Sequence, residues 1–169
     1  MTVTEALNAR RSIRKFVPGE TIPKEKIDSL LEAAMLAPSA CNTRPWEFIA
    51  ITNRSVLDQI RAFHPFTGML ETAPLAIVIC GLPDSQSGIS EGFFPQDCGA
   101  AAMSILLKAV ELGLGACWCG VYPREQLVDG IKSMLELSSV PFCVIAVGVP
   151  DTTARQRGFF DAKKVTYIE

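Results

Sequence analysis

The stretch that most constrains this chain is residues 97–120, DCGAAAMSILLKAVELGLGACWCG. Ser104, Lys108 and Glu111 recur at i, i+4, i+7 and form its one polar stripe; nearly everything else is apolar. A helix of this composition must be buried on most sides, so it is either the spine of a domain or the seam of a dimer. Asp97 reads as the N-cap and Gly113 as the left-handed stop, with about four helical turns between them. Residues 99–102 are all small, so another backbone could approach closely there. Residues 114–122 alternate glycine and small residues with bulky ones and are predicted as a short buried strand. Gly113, Gly115 and Gly120 do not make a dinucleotide loop: that motif runs strand, glycines, helix, and here the order is reversed.

A chain of 169 residues is expected to form a single domain, 1–169, large enough to bury a core. Its 49% hydrophobic content is more than one core needs and fits an obligate oligomer. Sixteen Lys and Arg against eighteen Asp and Glu leave a net charge of -2, with no global pull toward nucleic acid. No apolar run reaches membrane-spanning length and the first residues lack a signal-peptide core, so a cytoplasmic location is expected. Six cysteines stand at 41, 80, 98, 117, 119 and 143, mostly among apolar or small neighbours, where a reduced thiol packs as a small hydrophobe. Cys117 and Cys119 would share one face of a strand; with no C-x-x-C pair and one histidine, no metal site is assigned.

Taken in order, residues 2–9 read as a short helix that runs into Arg10-Arg11-Ser12-Ile13-Arg14-Lys15. Such a run is either a solvated face or a clamp. In extended backbone Arg10, Ser12 and Arg14 point the same way, and two guanidiniums with a hydroxyl suit a phosphate or carboxylate. Pro23 is placed at the first position of a helix that buries Ile27, Leu30, Leu31 and Ala34 and stops before Pro38. Residues 37–46 form a defined loop, stiffened by Pro38 and Pro45. Strands are predicted over residues 46–51, 74–81 and 140–149, and helices over 54–63 and 124–137. Residues 74–81 carry no alternation and are read as buried on both faces. Residues 82–95 lack a regular pattern and are read as a lid or excursion, in which Phe93 and Phe94 either cap a flat ring or plug the core. His64 is read as a surface or capping residue.

Two of these motifs together, Arg10-Arg-Ser-Ile-Arg14 and Pro38-Ser-x-x-Asn42-x-x-Pro-Trp46, followed by the 113–120 segment, resemble the nitroreductase family of FMN flavoproteins. The resemblance runs from about Ala6 to the C-terminus. It implies an α+β fold with a central, mainly antiparallel sheet flanked by helices, and an intertwined homodimer with C-terminal strand exchange. It further implies FMN held by Arg10, Arg11, Ser12 and Arg14 from one subunit and Pro38, Ser39, Ala40 and Asn42 from the other. Cys119 and Gly120 would stand against the ring, and Arg155 or Arg157 would complete the phosphate site. Electrons would pass from NAD(P)H to nitroaromatic, quinone or similar acceptors by a ping-pong mechanism, with flavin N5 carrying the chemistry and no protein acid or base. Three positions depart from the family: Pro65 and Gly68 fall where Asn and Lys are frequent, and Arg44 stands in place of a glutamine. Alternatives from the residues alone are a flavin-binding redox sensor without NAD(P)H turnover, or an anion- or nucleic-acid-binding module built on residues 10–15.

Overall fold

The structure, a computed structural model, describes residues 1–153, 158 and 160–169. Its centre is a four-stranded antiparallel sheet of β1 (Trp46–Ile51), β2 (Leu75–Gly81), β3 (Gly115–Gly120) and β4 (Val140–Gly148), in the order β1-β2-β4-β3. β2 is buried along its whole length, as its unbroken apolar sequence requires of a strand covered on both faces. The register pairs Ile77 with Ile145 and Val78 with Val144, so alternate rows of the two inner strands supply the two faces.

Among the described residues there are five helices, α1 (Val3–Ala9), α2 (Lys24–Met35), α3 (Arg54–Phe63), α4 (Phe94–Glu111) and α5 (Glu125–Met134); α2 to α5 cover the two faces and α1 lies against α4. Ile77, Ile79, Ile145 and Val147 pack with α2 and α4. Ala76, Val78, Val144 and Ala146 pack with α3 and α5. α4 is the spine the sequence announces: Cys98, Ala101, Ala102, Ile105 and Ala109 are fully buried, and Glu111 stays exposed. It is longer than expected, with 18 residues.

Asp97 is therefore not the N-cap. The helix opens at Phe94, with Pro95 in its first turn, and Asp97 turns inward and is buried. Proline suits that position because its missing N–H would have no partner there. Gly113 ends the segment with φ +71, the left-handed conformation that only glycine adopts without a Cβ clash. Pro23 is the N-cap of α2 rather than its first residue, and α5 is shorter at both ends than residues 124–137.

Residues 82–95 are ordered structure rather than an irregular lid. Two 3₁₀ turns, Pro83–Ser85 and Gly88–Ser90, lead into α4, and Gln86 and Ser90 are buried. Phe94 plugs the core, its ring 5.3 Å from that of Tyr122, while Phe93 is half exposed. At the other end of the chain no strand forms within residues 160–169; Val165, Tyr167 and Ile168 are exposed around one 3₁₀ turn, Ala162–Lys164.

Candidate functional site

Beside the edge strand β3 lies a cleft of about 530 Å³, within the range of cofactor pockets. Three segments build it: Arg14, the turn bearing Pro65, Phe66, Gly68 and Met69, and residues 117–120 of β3. Arg14 reaches it because Ser12 forms a parallel bridge to Ala116, laying the N-terminal segment alongside β3. Ile13 sits on Gly115 with no room for a side chain there, and Arg11 and Ile13 line a different cleft. Arg11 and Ile13 thus face one side of the segment, and of Arg10, Ser12 and Arg14, Arg14 is the member found in this cleft.

His64 holds the turn in place. It is fully buried, not a surface residue, although it does terminate α3. Its Nε2 stands 2.9 Å from the Gly120 carbonyl oxygen, and Nδ1 accepts from the Phe66 N–H at 3.1 Å. Gly120 is exposed, and a Cβ built on it would meet nothing within 4 Å. A flat ligand can therefore lie directly on backbone at this point.

Cys117 and Cys119 face into the α3/α5 side of the core yet also line the cleft. The hydrogen bond shared with Cys119 holds the Cys117 thiol below the usual cysteine range, at about 7; burial opposes this and Arg14 adds to it. The same bond, together with burial, pushes Cys119 far above that range. Burial is the main cause that pushes Cys80 and Cys98 up to about 12; a hydrogen bond with Ser139 opposes it at Cys80 and Glu47 adds to it, while Cys80 and Asp97 add to it at Cys98.

The Pro38–Asn42 segment lies elsewhere. It precedes β1, so it sits at the same end of the sheet as Gly120 but at the opposite edge, three strand spacings away, or about 14 Å. Its backbone is unusual: Cys41, Asn42 and Arg44 all have positive φ, at 51, 55 and 51. Such strain persists only where the surroundings enforce it, and it clusters at ligand clamps. Here Asp97 enforces it. One carboxylate oxygen accepts from the Ala40 N–H at 3.0 Å, and the other accepts from Gln86 Nε2 at 2.9 Å. Ser39 Oγ accepts from the Arg44 N–H, and Arg44 Nε donates to Asn42 Oδ1.

Of the predicted residues, the structure brings together Arg14, Cys119 and Gly120 and keeps Pro38, Ser39, Ala40 and Asn42 apart from them. Arg155 and Arg157 lie outside the described residues. Sequence reasoning missed His64 as an anchor, the Asp97–Gln86 pair, and Phe66 and Met69 as cleft walls. Of these, only Asp97 carried a signal: an acid in an otherwise apolar stretch demands a partner.

A cation beside an open, glycine-floored cleft on the edge of a helix-covered antiparallel sheet makes this an α+β domain with one candidate ligand site at β3. The family follows from comparison. A sequence model of the nitroreductase family matches residues 7–64 and 65–149, and the chain belongs to that family. A protein of Methanothermobacter thermautotrophicus, assigned as an NADH dehydrogenase/NAD(P)H nitroreductase, is 44% identical over 167 residues, covering 98% of this chain and 86% of its own. The crystal structure of a Parabacteroides distasonis protein with the same assignment superposes with a TM-score of 0.91 at 36% identity, covering 97% and 96%. An FMN-dependent nitroreductase of Clostridium difficile superposes with a TM-score of 0.88 at 34% identity, covering 99% of each chain. No helix among the described residues is long and apolar enough to cross a membrane.

Proposed function

We propose that this chain is an FMN-dependent oxidoreductase that takes electrons from NAD(P)H and delivers them to nitroaromatic, quinone or similar acceptors, donor and acceptor using one pocket in turn. The observation that carries the reading is the pairing of Arg14 with the open floor at Gly120 across one cleft, in a chain whose relatives include an FMN-dependent nitroreductase. The residues present fit FMN. Arg14, with Arg10 and Ser12 on the same segment, suits its phosphate and the electron-rich edge of its ring, while Arg11 faces the other cleft. Backbone at Gly120 suits close contact, and Phe66 and Met69 suit an apolar ring face. FMN, when bound, supplies the electron-transfer chemistry. The chain's own contribution is to hold the ring on β3, keep a cation beside it, and exclude water with the residue 65–69 turn.

The homodimer belongs to the same proposal. Pro38, Ser39, Ala40 and Asn42 form a strained, defined loop that faces no cleft residue of its own chain across the sheet, and a two-fold axis can bring it to the partner's cleft. The surface supports an interface: Val3 is 73% exposed, Ile168 is 95% exposed, and α1 buries none of its residues. The apolar tail, residues 165–168, has no strand to pair with here and suits addition to a partner's sheet edge.

The test is the absorption spectrum of the purified protein, followed by anaerobic NADH and NADPH. A flavin spectrum that bleaches with a donor and recovers with a quinone is expected. A flavin that neither donor bleaches would point to a sensor, and a colourless protein that binds no added FMN would sink the reading.

A further inference from the structure

Phe66 lines the cleft and is fixed there by its backbone. Its N–H donates to His64 Nδ1 at 3.1 Å, and its carbonyl oxygen accepts from the Cys119 thiol at 3.2 Å. The residue is nevertheless 59% exposed, so the ring stands at the mouth rather than in the core. The turn presents a fixed aromatic wall to whatever enters.

Arg124 lies against that ring, its guanidinium carbon 5.8 Å from the ring centroid. The chain brings it there directly from the cleft floor. Past Gly120 a turn closes, in which the Arg124 N–H donates to the Val121 carbonyl oxygen at 3.0 Å. The ring quadrupole attracts a cation over its face, and a guanidinium seated this way keeps the N–H groups at its edge free to bind. Lys24, Arg54, Arg61 and Lys108 are each paired with a carboxylate. Arg124 is not: among the described residues its side chain forms no ion pair and no hydrogen bond. It does not line the cleft itself, so a flavin held between Arg14 and Gly120 leaves it uncommitted.

We infer that Arg124, seated on Phe66, is the recognition group for an anion carried by the reactant that stacks on the flavin. The inference rests on the FMN reading above. Arg14 is the cation for the cofactor, and Arg124 is a second one, beyond the cofactor's cleft and behind its aromatic wall. A flat ring arriving over Gly120 meets Phe66 with its apolar surface and Arg124 with an attached phosphate, carboxylate or sulfonate. Both kinds of reactant can offer such a group: NAD(P)H its phosphates, an acidic acceptor its own anion. A cation at the rim also speeds the encounter with an anionic partner. The site thus selects for charge, which an apolar wall alone does not.

The experiment uses the flavin-loaded protein and its Arg124→Gln and Arg124→Lys variants. Arg124 is exposed and its side chain caps no helix, so the thermal melts should coincide. Anaerobic bleaching of the flavin is followed with NADH and with N-benzyl-dihydronicotinamide, a donor without phosphate. Reoxidation is followed with menadione and with a sulfonated naphthoquinone. Arg124→Gln is expected to raise the half-saturating concentration about fivefold for NADH, for the sulfonate or for both, the upper end of what an exposed ion pair contributes. Limiting rates should hold, and the reactant that shifts identifies the source of the anion. The two uncharged reactants should not shift, Arg124→Lys should restore most of the loss, and added salt should narrow the gap between wild type and Arg124→Gln. Equal shifts for charged and uncharged reactants would mean that Arg124 only steadies the turn, and no shift with either anion overturns the inference. A protein that takes up no FMN sinks the proposed function as well; a flavin-loaded variant blind to charge sinks this inference alone.

Discussion

The ring of His64 bonds Gly120 and Phe66 at once, with Nε2 2.9 Å from the Gly120 carbonyl oxygen and Nδ1 3.1 Å from the Phe66 nitrogen. A backbone N–H can only donate, so Nδ1 is the acceptor and the hydrogen sits on Nε2, donated to Gly120. One neutral tautomer thus ties the end of β3 to the opposite wall of the cleft. His64→Ala strands a buried N–H and opens a void, and is expected to cost about 2–4 kcal/mol. Chemical denaturation measures this, and FMN titration should show a parallel loss of affinity. An unchanged midpoint would mean that the turn is held by other contacts.

Arg14 is exposed on the cleft side and forms no part of the core. Arg14→Ala is expected to leave the thermal melt nearly unchanged. The same change should weaken FMN binding by about one to two decades, the worth of a charge-assisted hydrogen bond of roughly 1.5–3 kcal/mol. Flavin titration of the apoprotein decides it; full affinity would remove Arg14 from the cofactor site.

Gly120→Val tests the floor of the cleft. The site has open space for the added side chain and no positive φ to strain, so the chain should fold normally. The valine would stand where the ring is proposed to lie. The expected result is a folded protein with little flavin, and a fully flavinylated variant with wild-type turnover would place the cofactor elsewhere.

Asp97→Asn keeps the shape of the side chain and turns an amide donor toward either the Ala40 N–H or the Gln86 amide. Losing one charge-assisted bond and facing donor to donor is expected to cost about 1.5–3 kcal/mol. If the 38–42 loop serves a shared site, flavin affinity should fall as well, and Asp97→Glu should not rescue it because the longer side chain cannot keep both bonds. Denaturation and FMN titration of the two variants are the measurements.

Arg14→Glu and Asn42→Asp together test whether each site is shared. Each variant alone should lose flavin while remaining folded. In a mixed dimer both lesions fall in one site and the other is intact. Equal co-expression makes about half the dimers mixed, so about a quarter of all sites should regain FMN. Absorbance per chain reads it out, and mixed dimers without flavin would mean that each site lies within one chain.

The strands and helices were legible because their periods are local. Trp46–Ile51 and Arg54–Phe63 coincide with the predicted spans, and Gly113 takes the left-handed turn its position implied. The motif around Arg14 and the one around Asn42 were recognisable as two pieces of a family signature. The resemblance implied that they reach a site from different subunits, but their places in this chain's sheet were not legible. The strand order β1-β2-β4-β3 puts them at opposite edges, and no spacing along the chain encodes that order.

The sequence by itself determined the alternation of apolar and polar positions, the glycine and proline stops, and hence which segments are helix or strand and which side of each is buried. Tertiary structure alone decided the fate of the polar residues inside that pattern. Asp97 reads as a cap by its neighbours, but the Ala40 N–H and the Gln86 amide, both remote in sequence, draw it inward. His64 reads as a surface or capping residue; it does cap α3, but it is buried because β3 supplies a carbonyl 56 residues away for it to bond. A buried polar group is stable only where distant chain happens to meet its hydrogen-bonding needs, and that meeting is a property of the packed fold rather than of any local stretch.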